Sequence, residues 1–82
     1  SSSETSMIYR RFKYSANFIC KFIENISGTP VKENYILKIF DDFFFYYKKY
    51  KEISEDKETI NNIEMDMEGT LDLVMEDTSK II

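Results

Sequence analysis

Apolar residues recur along this chain in three blocks separated by two polar joints. In the first block, about residues 7–26, Ile8, Phe12, Ile19, Phe22, Ile23 and Ile26 recur at spacings of three, four and seven, the period of one helix face. Ser15 is placed to interrupt that period as an N-cap, its hydroxyl accepting from an amide of the following turn. The pattern predicts a short leading turn with Tyr9, Arg10 and Arg11, then a main helix over about 15–26. The joint that follows, Ser27-Gly28-Thr29-Pro30, reads as a stop and a start. Gly28 suits the left-handed conformation that ends a helix. Thr29 suits an N-cap, and Pro30 the first helical position, where no amide hydrogen is needed.

The second block predicts a helix from Pro30 to about Ile53 or Glu55. At 100° per residue, Phe40, Phe43, Tyr47 and Tyr50 fall within about 40° of Ile36. Leu37 and Phe44 widen the arc on one side; Tyr35, Ile39, Tyr46 and Ile53 widen it on the other. The apolar arc covers about 200°, twice the ~100° stripe of an ordinary one-sided helix. Such a helix is central, and its second face needs a partner. Phe45 lies opposite Ile36 among Asn34, Lys38, Asp41, Asp42, Lys48, Lys49 and Glu52, so it is expected on the surface, either as a single exposed aromatic without a role or as a contact for a further partner.

Residues 54–62, "SEDKETINN", read as a polar connector. Beyond them, Met67, Leu71, Val74 and Thr78 step by four, three and four, with Asp66 available as an N-cap. This predicts a short extended piece at 62–65 and a helix over about 66–77. A hairpin turning at Glu68-Gly69 is the alternative, though Glu-Gly is a poor pair for a primed turn.

A chain of 82 residues is one domain with a small core, which disulfides, metals or oligomerisation usually staple. One cysteine, Cys20, makes no internal disulfide, and with no histidine a zinc site is not expected. Oligomerisation is left as the staple and a reduced intracellular compartment as the expected home. No run is apolar enough to span a membrane, and "SSSETS" is neither basic nor apolar enough for a signal peptide. Residues 1–6 are therefore expected to be a flexible tail, 7–78 the folded domain and 79–82 a C-terminal end. Charge is uneven: residues 1–51 carry nine Lys/Arg against five Asp/Glu, residues 52–82 two against ten. The acidic end opposes DNA, which would be contacted weakly or indirectly. No Gly-rich phosphate loop or calcium-loop register is present, and Cys20 sits on an apolar face, so no catalysis and no cofactor are expected.

Short helix, tight loop, long helix apolar on two sides, short helix: this order is the pattern of the histone fold. The stretch "IYRRFKYSANFICKFIENISGTPVKENYILKIF" resembles the subunit-11 family of TBP-associated factors in transcription initiation factor TFIID. The likeness rests on Tyr9-Arg10-Arg11, the Ile/Phe helix, Gly28-Thr29-x-Val31 and Asn34, with "DMEGTLDLV" in the place of the third helix. It implies an all-α histone fold completed by a second histone-fold chain resembling subunit 13, in the nucleus, presenting a joint surface to TBP or other TFIID subunits. Ile36, Phe40, Phe43, Phe44, Tyr47 and Tyr50 would form the dimer interface; Arg10, Arg11 and Lys13 are candidates for an acidic partner or DNA phosphate. The alternatives are a CENP-X-like centromere protein, a homodimeric histone-like DNA packer, and a helical bundle that grips a host helix.

Overall fold

In the computed structural model, backbone is described for residues 2–79 and side chains for residues 4–76. Among the described residues the chain is all helical: α1 (Ser2–Tyr14), α2 (Ala16–Ser27), α3 (Glu33–Ile53) and α4 (Lys57–Ser79).

The first departure from the sequence expectation is at the N-terminus. Residues 2–6, expected as a flexible tail, form the opening of α1, and Thr5 is buried there. Ser15 does lie between two helices, yet its hydroxyl makes no cap bond. Its near-helical backbone instead passes the hydrogen-bond ladder on: its N–H donates to the carbonyls of Arg11 and Phe12, and its own carbonyl accepts from Ile19. The leading turn is consequently a full helix, and α2 continues from it after a one-residue break.

Gly28 behaves as its type requires. At φ 73° it occupies the left-handed region, and its N–H donates to the Glu24 carbonyl at 2.7 Å. The next helix, however, starts at Glu33, with Lys32 at the N-cap, so Thr29 and Pro30 do not open it. The Val31 N–H donates to Glu24 Oε1 at 2.9 Å, and the Val31 side chain packs against the core. The loop is thus tied back onto α2 for three residues longer than the Thr-Pro signal suggested.

The polar connector is shorter than expected, because α4 begins at Lys57. Asp56 caps it: Oδ1 accepts the Thr59 N–H at 3.0 Å and Oδ2 accepts the Thr59 hydroxyl at 2.6 Å. These two bonds hold the Asp56 carboxyl below its ordinary value. Residues 62–65, expected as extended, are helical, as is Gly69, and neither the hairpin nor an Asp66 cap occurs. Thr78 and residues 79–82, on which expectations also rested, lie outside the described side chains.

Both α1 and α2 pack against α3 and α4, whose backbones stay apart while their side chains meet in the core. Ala16, Ile19 and Cys20 from α2 meet Ile36 from α3 and Leu71 and Val74 from α4 in one core. Ile8, Phe44 and Tyr47 form a second, with Ile63 and Met67 against it. Phe12 and Phe40 belong to both, joined edge to face at 5.1 Å. Burial pushes the Cys20 thiol up, with Glu33 and Glu24 adding to the effect, which suits a small core residue.

Candidate functional site

The long helix α3 divides its apolar arc between two environments. Ile36, Phe44 and Tyr47 are buried inside the chain, with Phe40 half-buried beside them. These four were expected to pair with a second chain; they are spent on the chain's own core. Two contacts account for this: α1, a full helix, lays Ile8, Tyr9 and Phe12 over Phe44, and α2 with α4 covers Ile36. Phe43 and Tyr50, the other two expected interface residues, are exposed.

The outer half of the arc stays uncovered. Tyr35, Ile39, Phe43, Tyr46, Tyr50 and Ile53 are all exposed, Tyr46 at 67% and Ile53 at 82%. From Ile39 onward they are spaced four, three, four, three, the spacing of a coiled-coil seam. Two of them are braced from below. Phe43 stacks on Tyr47 at 5.8 Å and 9°, and Tyr50 stacks on the same ring at 6.2 Å and 27°. Phe43 also meets Phe44 edge to face at 5.1 Å. Rings anchored on a buried neighbour lose little rotamer freedom when a partner covers them, which is the property of interface anchors. Sequence periodicity put Tyr35, Ile39, Tyr46 and Ile53 on the flank of the arc; it did not show that the flank is the part left open.

Phe45 is on the surface as expected, 55% exposed, under the Lys49 ammonium at 4.5 Å from its centroid and edge-on to Tyr46. Phe45→Ser is expected to shift stability by no more than about 0.5 kcal/mol, read as a thermal melt within a few degrees of wild type. A large drop would place Phe45 in the core.

The three basic candidates do not form a patch of free charge. Arg10 is exposed on α1. Arg11 forms an ion pair with Asp72 of α4 at 3.0 Å, and Lys13 lies over the Tyr9 ring at 5.2 Å. The Tyr9 hydroxyl in turn donates to Asp41 of α3.

A polar cluster invisible to periodicity sits between α1, α3 and α4. Glu64 Oε2 accepts from Lys51 Nζ at 2.8 Å, the Tyr47 hydroxyl at 2.9 Å and the Thr5 hydroxyl at 3.1 Å. Lys51 Nζ also reaches Thr5 Oγ1 and lies 5.9 Å from the Tyr47 ring centroid. Burial pushes the Glu64 carboxyl up, and the hydrogen bonds from Lys51, Tyr47 and Thr5 outweigh it, so the group is held below its ordinary value. Burial, then the Glu64 bond and charge, push the Tyr47 phenol well up. Beside this cluster a groove of about 470 Å³ opens, walled by Thr5, Ser6, Lys48, Lys51, Lys57 and Asn61 among others. Among the described residues no group of three or more His, Cys, Asp or Glu is placed to hold a metal ion. No described helix is long and apolar enough to cross a membrane.

No protein-family model, curated protein or solved structure matches this chain.

Proposed function

We propose that this chain is a non-catalytic protein–protein interaction module that docks through the outer stripe of α3. One observation carries the reading: a run of six exposed apolar side chains, Tyr35 to Ile53, on a helix whose adjoining apolar face is already buried in the chain's own core. Aromatics fully expose about 150–250 Å² each, so this stripe offers several hundred square ångströms, of the order of the ~800 Å² per partner in a standard interface. Leaving it in water is unfavourable, and covering it is what a second helix does.

A narrower form of the reading is a histone-fold pairing subunit of a nuclear, TFIID-like transcription assembly, whose partner would be a histone-fold chain and whose joint surface would face TBP or its neighbours. It is supported by the resemblance of residues 8–40 and by the observed order of helix, left-handed Gly28 and long helix apolar on two sides. With Ile36, Phe44 and Tyr47 turned inward, such pairing would run through the outer stripe.

The test replaces Ile39, Tyr46 and Ile53 together by Lys, Glu and Lys. The expected result is a chain with wild-type helicity and a melt within a few degrees of wild type that has lost association, both alone by sedimentation and with a co-expressed histone-fold partner by co-purification. A variant that unfolds shows the stripe to be core. A variant that associates like wild type places the docking surface elsewhere.

A further inference from the structure

We infer that the occupant of the α3 stripe is a second copy of this chain, laid antiparallel along the same helix. The inference rests on the stripe being the docking surface and adds its partner and register. Ile39, Phe43, Tyr46 and Tyr50 alternate as the core positions of a two-helix seam, with Ile53 beyond its C-terminal end. In an antiparallel pair related by a two-fold axis near the middle of α3, Phe43 faces Tyr46 of the other copy, and Ile39 faces Tyr50. Each layer sets one ring braced on Tyr47, Phe43 or Tyr50, against an unbraced residue, Tyr46 or Ile39.

Charge selects this direction. Along the outer margin of the seam stand Asp42 and Lys49, one heptad apart. Antiparallel pairing brings like margin against like margin, so Asp42 of each copy lies beside Lys49 of the other, giving two symmetry-related ion pairs. A parallel pair brings that margin against the opposite one, where the corresponding residues are Tyr47 and Ser54, and gives neither charge a counter-ion on the other copy. The margin facing the core holds Phe40 and Tyr47, so the new interface is continuous with the existing cores. Within one chain Asp42 accepts from Lys38 at 2.9 Å and Lys49 lies over Phe45. Both contacts are exposed and screened, and either can be shared with or exchanged for the intermolecular one.

The experiment is sedimentation equilibrium of the whole chain from micromolar to submillimolar concentration, with helicity and melting as controls. Wild type is expected to be a dimer. Asp42→Lys alone and Lys49→Asp alone each place like charges together twice and are expected to raise the dissociation constant by about tenfold or more. The double reversal recreates both pairs and is expected to return it to within about threefold of wild type. A wild type that stays monomeric, while a heterologous partner binds in a stripe-dependent way, overturns self-pairing and leaves the docking surface standing. A dimer untouched by changes to Ile39, Tyr46 and Ile53 overturns both. A stripe-dependent dimer indifferent to the charge reversals overturns the antiparallel register.

Discussion

Glu64→Leu is expected to destabilise the fold by about 3–5 kcal/mol, because it leaves the largely buried Lys51 ammonium without its counter-charge. A domain of this size has only about 4–12 kcal/mol in total, so the variant is at the edge of folding. The measurement is chemical denaturation, and a loss under 1 kcal/mol would show the pair to be solvated. Replacing both partners, Glu64→Leu with Lys51→Met, is expected to recover at least half of the loss, since no charge is then stranded. It does not recover all of it, because Tyr47 loses its acceptor. The pair also gives the fold an acid limit. The folded-state pKa of Glu64 lies below its unfolded value, so its contribution is fully present above the unfolded carboxylate range and is lost as pH falls through the folded value. Wild-type melting temperature should therefore fall between about pH 5 and pH 3. Asp56 contributes in the same direction, so the Glu64→Leu variant, retaining Asp56, isolates the buried group by a shallower slope.

Phe44→Ala is expected to cost a similar amount, about 3–5 kcal/mol, through loss of buried surface and an unfilled cavity. Phe44 is 3% exposed and holds the rings of Tyr9, Phe12 and Phe43 at centroid distances of 5.2, 5.7 and 5.1 Å. At roughly 4–8 °C per kcal/mol, the melt should fall by well over 10 °C. Phe45, the next residue and the same side chain, is expected to change almost nothing. The contrast tests the helical register of α3 directly: comparable losses at both positions would mean that its inward face is misplaced.

Much of the fold is legible from elementary chemistry. The stop at Gly28 follows from the ease with which glycine takes positive φ, and α2 ends one residue before it. The long α3, its end at Ile53, its apolar width and the exposure of Phe45 all follow from the 3.6-residue period. Met67, Leu71 and Val74 share the inward face of α4 for the same reason. The period also carries Ile60 and Ile63 into that face, yet the polar run 54–62 reads as a connector and Glu64 interrupts the stripe beyond it. A carboxylate belongs inside only when donors meet it there, and its donors Thr5, Tyr47 and Lys51 come from 13 to 59 residues away along the chain. Sequence spacing has no means of showing that meeting.

By itself, the sequence determined helices, their faces and one firm stop, because these depend on neighbours within a turn or two. Only the tertiary structure decided which half of the α3 arc is core. Any helix laid on the Ile36–Phe44–Tyr47 side closes a core and leaves the Ile39–Tyr46–Ile53 side uncovered, and apolar burial is indifferent to whether the covering helix comes from the same chain. Here α1, formed from residues that read as tail and turn, belongs to the same chain and supplies Ile8, Tyr9 and Phe12. Its early residues order because Thr5 finds Glu64 and Lys51 in the fold, a long-range contact that no local propensity contains.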